Sequence, residues 1–579
     1  MWLVNCNTLK LEQFFGSNIP SYAILSHTWE EEEVTFDELG QASTGYPSKE
    51  QSIHVKERQG YSKIYETCLL AKEDGLDYAW IDTCCINKSS SAELTESINS
   101  MFQWYQNAAR CFVFLSDLHE KTPTEKGLVA CKWFTRGWTL QELIAPKEVF
   151  FYDQTWKYRG TRTKFSDTIS SITNINGNAL LGRSPMAYSV ATRMSWAAHR
   201  QTTRTEDLAY CLLGIFEVNM PMIYGEGPNA FLRLQEEIVK RSNDMTIFAW
   251  DQKQEEGSRI GLFALSPAGF ARSKDIAPIS RAWLDPVFAM TNKGLKIDNF
   301  KLLWKKTIDD GNGGLETTYS IPLGSSYVDD VHVWIAMPIR KIGPDVFVRS
   351  GRLLTTTWTS ARRAAVSFYL HAATINPHIF EALRRQEAVH FPKHKFQIEE
   401  VIPESHWDDA NSLFFHPLDD FSLVLAAQCN VVVRGSTIQF VVCILYPSPG
   451  HPKCLVFSTN GHHRLSSWLF RHKRLGHDVT WEDVKADEPE TPGILNCTHQ
   501  LETVLDETKF RISISTDKGV VSPISDQEIY SVNYGVETIP HLKRKSVGKS
   551  SDKNLTSKAF RERRGRDVSS DTASSSSSN

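Results

Sequence analysis

The chain has 579 residues, 41% of them apolar with 16 Trp and 30 Phe, which is more apolar material than one ordinary core holds; two to four units of roughly 100–200 residues are expected. The net charge of −4 divides into a tail of +6 over the last 39 residues from His541 and a body of −10, so nucleic acid is not expected as a partner apart from the basic tail. Eleven cysteines without a CxxC pair exclude a disulfide scaffold, and the longest apolar run, FVVCILY at 440–446, is far below the roughly 20 residues of a membrane span; a soluble, cytoplasmic protein with no membrane span is expected.

In chain order, MWLVNCNTLKLEQFFG offers only short apolar stretches and no export signal. Residues 22–156 then alternate apolar runs with helical patterns. The predicted strands are YAILS (22–26), DYAWIDTCCI (77–86), RCFVFLSDL (110–118) and KEVFFYD (147–153). Between the second and third, Leu94, Ile98, Met101, Phe102, Tyr105 and Ala109 share one helical face, and Ser90 to Glu93 has capping-box spacing. Ile64, Cys68 and Ala71 mark a helix over 61–75 that Gly75 ends. Strands alternating with helices imply an α/β fold with a mainly parallel sheet, whose ligand crevice lies beyond the C-terminal ends of the strands.

From about 160 to 250 the pattern turns helical, with SVATRMSWAAHR, TEDLAYCLLGIF and NAFLRLQEEIVKR forming a helical annex. A second, mainly β domain is expected over 255–540, from VHVWIAMPIRKI, DVFVRSGRLL, AAVSFYL, FSLVLAAQ and TIQFVVCILYP. No repeat period appears there, and the WD at 407–408 stands alone. The Ser-rich basic tail, 541–579, has almost no large apolar residues and is expected to be disordered. Its KRK and RERRGR runs would also suit nuclear entry.

Several motifs fail on context. GKS at 548–550 lacks the upstream glycine and strand of a phosphate loop, there is no G-x-S-x-G elbow, and YGEGPNA at 224–230 reads as a turn before a helix. Cys454, His462, His463, His472 and His477 match no zinc spacing, so no metal is expected. Ser26, His27 and Asp82 are more informative, because they end strands where a doubly wound sheet presents its site. Ser26 and Asp82 could equally cap strand ends, and His27 could be a hydrogen-bonded structural histidine.

RGWTLQELIAP follows the third strand and stops at Pro146. If this stretch is one helix, Phe134, Trp138 and Glu142 fall on one face at i, i+4 and i+8. A carboxylate beside aromatic rings is partly desolvated, which favours its protonated form and suits acid/base chemistry. The alternative is a capping box from Thr139 to Glu142.

YAILSHTW, DYAWIDTCCINK, INSMFQWYQNA, WFTRGWTLQELIAP, the RMSWAAHRQTTRTEDLAYCLLGIF run and MIYGEGPNAFLRLQEEI together resemble the fungal heterokaryon-incompatibility (HET) domain, over residues 22 to about 250 of a 1–250 unit. That family is associated with non-self recognition and regulated cell death, and is distantly similar to Toll/interleukin-receptor (TIR) domains. The resemblance therefore implies a flavodoxin-like, TIR-like core over about 20–156. Many TIR domains hydrolyse NAD with a Glu in a W-C-x-x-E-L segment, and here Trp138-Thr139-Leu140-Gln141-Glu142-Leu143 matches except for Thr in place of Cys. By that resemblance Glu142 is the catalytic candidate, with Ser26, His27, Asp82, Arg136 and Trp138 positioning nucleotide. NAD would be substrate, with no cofactor, and partners would be further copies of the chain or other HET or TIR-like proteins. The rival reading is a non-enzymatic assembly module in which Glu142 only caps its helix.

Overall fold

The computed structural model describes residues 1–44, 55–251, 261–278, 286–300, 304–309, 315–327, 330–357, 366–371, 387–416, 424–433, 435–445, 452–458, 500–505, 508–521 and 528–539. The tail expected to be disordered (541–579), His462, His463, His472 and His477 lie outside them.

The N-terminal sheet comprises β1 (Trp2–Asn5), β2 (Lys10–Gln13), β3 (Ala23–His27), β4 (Tyr78–Trp80), β5 (Arg110–Phe114), β6 (Val149–Tyr152) and β7 (Tyr158–Thr161), in the order β2-β1-β4-β3-β5-β6-β7. The four central strands β4-β3-β5-β6 are parallel. Counted among themselves they run 2-1-3-4, the order in which a doubly wound sheet of the flavodoxin type begins, with its switch point between β3 and β5. Every residue of β3 is buried, as a central strand covered on both faces requires. Three antiparallel strands that the apolar runs did not announce flank this core: the β1–β2 hairpin beside β4, and β7 beside β6.

The second predicted strand is cut short. Beyond Trp80 the amides of Cys84 and Cys85 turn back onto the Ile81 carbonyl, at 3.2 and 2.8 Å. Asp82 therefore stands on a turn past the strand end.

The helices among these strands are α1 (Phe36–Thr44), α2 (Gln59–Glu73), α3 (Ser91–Asn107), α4 (Thr124–Leu128) and α5 (Thr139–Ile144). In α2 the apolar triad Ile64, Cys68 and Ala71 is buried, and Gly75, at φ +74°, lies just past the end, where a left-handed residue costs glycine little. In α3 the Ser90 hydroxyl accepts from the Glu93 amide at 3.3 Å, but the Glu93 carboxylate takes the Asn87 amide instead of closing a capping box.

The annex continues the chain as α6 (Ser166–Thr173), α7 (Gly177–Leu180), α8 (Val190–Ser195), α9 (Asp207–Tyr210) and α10 (Asn229–Val239). The expected helices at SVATRMSWAAHR and TEDLAYCLLGIF are shorter than their periodicity, because turns with i→i+3 bonds, such as Ala197 to Met194 and Arg200 to Ala197, take over. YGEGPNA is a turn before α10, with Gly225 and Gly227 both at positive φ.

After Trp250 the described residues are mainly strands, in sheets of nine, six and four. One apolar cluster runs continuously from Leu3 to Leu370, so the annex and the nine-stranded sheet share a core. A separate cluster spans Val389 to Val532. Among the described residues no helix is long and apolar enough to cross a membrane.

Candidate functional site

Ser26 is the penultimate residue of β3, in parallel register with Val113 of β5, beside the switch point. Its hydroxyl accepts the Trp133 indole N–H at 2.8 Å and donates to the Glu142 carboxylate. Ser26 and Trp133 are wholly buried and Glu142 is 5% exposed.

The path to Glu142 differs from the helical expectation. Lys132–Thr135 form a 3-10 turn, Arg136 is extended, and α5 begins only at Thr139, so Phe134, Trp138 and Glu142 do not form a stripe on one helix. The break has a tertiary cause: Gly137 N–H donates to Gln201 O at 2.8 Å and Gln201 N–H to Thr135 O at 2.7 Å, a short strand-like bridge from the annex. The capping box is absent as well. Thr139 Oγ1 donates to the carbonyls of Trp133 (2.5 Å) and Arg136 (3.0 Å), and Glu142 turns to Ser26 instead of to its own backbone. Arg200, buried, clamps this corner by donating Nη1 to Arg136 O (2.8 Å) and Thr139 Oγ1 (2.9 Å).

Burial pushes the Glu142 carboxyl up to about 8, and the negative charge of Asp82 adds to the rise. The Ser26 bond, the Arg136 charge and the Tyr105 hydroxyl pull the other way and lose. Glu142 is thus mostly a neutral acid at pH 7 in this closed arrangement.

Asp82 lies on the turn after β4, where Oδ2 accepts the indole N–H of the exposed Trp29 at 2.7 Å. Lys88 places its ammonium 3.6 Å from the centre of the Trp29 ring. His27 sits between carboxylates, 3.8 Å from Asp82 and 3.5 Å from Glu33, and neither ring nitrogen has a hydrogen-bond partner among the described residues. The hydrogen-bonded structural histidine expected at His27 is met only by this looser pairing with Glu33 and Asp82. Burial would raise the Glu33 carboxyl, yet His27 and Lys63 outweigh it and hold the group down at about 2.

Ser26, His27, Asp82 and Glu142 therefore converge at the end of β3, and Arg136 acts on Glu142 through its charge. Trp138 shares no hydrogen bond with them among the described residues; it lies near Asp207 of α9, whose carboxylate accepts from Tyr224 at 3.1 Å. Trp133, Tyr105, Glu33, Lys63 and Arg200 belong to the arrangement and were not foreseen. Trp133 and Arg200 stood in the segments that carry the resemblance without being singled out, and Tyr105 stood on the apolar face of α3, a signal that spoke for its ring and was silent on its hydroxyl. Among the described residues no group of three or more potential metal ligands occurs.

Residues 22–128 match the model of the family described as Heterokaryon incompatibility protein (HET), and residues 229–260 match a Domain of unknown function (DUF8212). The Vegetative incompatibility protein HET-E-1 of Podospora anserina is 45% identical to this chain over 235 residues, covering 39% of this chain and 16% of that protein. The chain thus spans only a small part of the curated relative it matches. No solved structure matches. A HET domain is therefore present in this chain.

Proposed function

We propose that this HET-domain chain is an effector of heterokaryon (vegetative) incompatibility, a route of fungal non-self recognition and regulated cell death, and that its TIR-like core acts by hydrolysing NAD at Glu142. The similarity to a vegetative incompatibility protein supports the biological role. The observation that carries the chemical reading is the Ser26–Glu142 bond, which holds an acid against the C-terminal end of β3, at the crevice where a doubly wound sheet takes its ligand.

In the reaction the bond from C1′ of the ribose to the pyridinium nitrogen breaks, and its electron pair leaves with nicotinamide. The cationic sugar then adds water and releases a proton. An ionised Glu142 would stabilise that cation or take the proton from the incoming water. The substrate helps, because a pyridinium beside the carboxyl favours its charged form. Access is required too: Glu142 is 5% exposed, so assembly with further copies or with other HET or TIR-like proteins would have to uncover it.

That same burial favours a second reading, in which the HET domain is an assembly surface and Glu142 a structural acid. Nicotinamide release by the purified, assembled full chain separates the two. Glu142→Gln should lower the rate by roughly 10²–10⁴-fold while folding normally. Uncovering the carboxyl removes the desolvation that raises it, so the wild-type rate of the assembled chain should rise with pH and level off below the value of about 8 that holds in the closed fold. The enzymatic reading is lost if assembled wild-type protein leaves NAD intact and the Gln variant kills cells as efficiently as the parent.

A further inference from the structure

Away from the Glu142 site, a cavity of about 310 Å³ lies where the annex meets the nine-stranded sheet. Its walls come from the turn entering α8, from the segment after α10, and from Leu323 and Gly324 of the strand Leu315–Tyr327. Arg193 of α8 lines it and is 4% exposed.

The guanidinium is held on two sides only. Nη1 donates to Ile215 O at 3.0 Å and meets the Met186 sulfur at 3.0 Å, while one face of the group covers the Phe216 ring at 4.6 Å. Among the described residues Nε is buried without a partner and too enclosed for a water to reach, Nη2 makes no hydrogen bond, and the two carboxylates whose charge acts on the group, Asp244 and Glu217, lie beyond ion-pair distance. Nη2 is therefore the donor left for a ligand, with N–H groups that can take an oxygen of a carboxylate or phosphate. A buried cation with donors unused is costly unless something pairs with it.

Asp244, also in the lining, does not fill the role. Its oxygens are engaged by the amides of Val190 (2.8 Å) and Thr246 (2.9 Å), which makes it a helix-start cap. Its charge nonetheless disfavours a dianion nearby, so a carboxylate suits the site better than phosphate. Met186, Met245 and Leu323 supply apolar wall for the rest of a small ligand, and the volume is at the low end of small-molecule sites.

We propose that this cavity binds a small molecule carrying one carboxylate and a compact apolar body, with Arg193 recognising the carboxylate. The site is independent of the NAD chemistry at Glu142 and stands or falls separately from it. The test uses the full chain with benzoate, with neutral benzamide as the control of equal shape and inorganic phosphate as the alternative anion, read by thermal unfolding and calorimetric titration. Benzoate should raise the unfolding temperature at millimolar concentration, since a ligand that binds only the folded state stabilises it.

Arg193→Lys keeps the charge but moves the donor from the place Nη2 holds, and should weaken benzoate binding by about tenfold or more. Because Arg193 also bonds Ile215, a second variant is needed: Met186→Trp fills the cavity from a half-exposed position and should abolish the benzoate shift in a folded protein. The proposal is overturned if benzoate gives no shift, if benzamide gives an equal one, if phosphate protects where benzoate does not, or if a folded Met186→Trp variant binds benzoate as the parent does.

Discussion

At the residue scale, Glu142 couples stability to pH in a direction its environment determines. Burial raises its carboxyl in the fold to about 8 from an ordinary value near 4.5. Between those two values the folded chain keeps a proton that the unfolded chain has lost, so stability falls as pH rises, by ~1.4 kcal/mol per pH unit from this group. Below the window the group is neutral in both states and contributes nothing. Glu142→Gln removes the titration, so in urea unfolding at a series of pH values the Gln variant should gain on the wild type from pH 5 to 8, then run parallel to it. A wild type and variant differing by a constant amount across that range would mean the carboxylate is already charged in the fold. The spacing of Thr139 and Glu142 could not reveal this, because it fitted a capping box equally well and the partner that decides, Ser26, lies 116 residues away.

At the element scale, the corner before α5 depends on its contact with the annex strap at Gln201 and Thr202. A Cβ on Gly137 would come within 2.4 Å of Thr202 Cγ2 and 3.3 Å of Cys211 Sγ. Gly137→Ala should therefore destabilise by about 1–3 kcal/mol, the usual effect of overpacking. Thr202→Ser removes the methyl but keeps the hydroxyl that donates to Arg204 O at 2.6 Å, so it should restore part of the loss in the double variant. Chemical denaturation of the four proteins in that cycle measures the coupling, and additive effects would disprove the contact. The periodicity of RGWTLQEL predicted a helix because pattern reports only local preference. The bridge from Gln201 overrides that preference at Arg136, and a bridge across 65 residues leaves no local trace.

At the scale of the whole molecule, the apolar cluster from Leu3 to Leu370 ties the α/β sheet, the annex and the nine-stranded sheet together, and the cluster from Val389 to Val532 is separate. Calorimetry should resolve two transitions, one for each cluster. Arg349 fastens the first of these. It is buried, donates Nη1 to Phe248 O at 3.1 Å and Nη2 to Trp250 O, and lies 3.8 Å over the Trp250 ring. Arg349→Met keeps a long apolar stem but strands two buried carbonyls, so the first transition should weaken by roughly 2–5 kcal/mol while the second stays put. A shift of both transitions, or of neither, would contradict that division.

The sequence by itself determined the central strands, the helices α2 and α3, the helical character of the annex and the β character of the chain beyond Trp250. Each of these rests on periodicity or β-branched content, which neighbouring residues carry among themselves. It also placed Ser26 and His27 at the end of β3, because polar residues break the apolar run there, whereas Asp82, expected to leave the second strand, stands on a turn past its end. Tertiary structure alone decided that the sheet has antiparallel edges, that RGWTLQEL breaks before its helix, that Trp138 faces Asp207, and that Glu142 meets Ser26 in a dry site. Those outcomes depend on partners tens to more than a hundred residues apart, and the desolvation that makes Glu142 a weak acid exists only once they have come together.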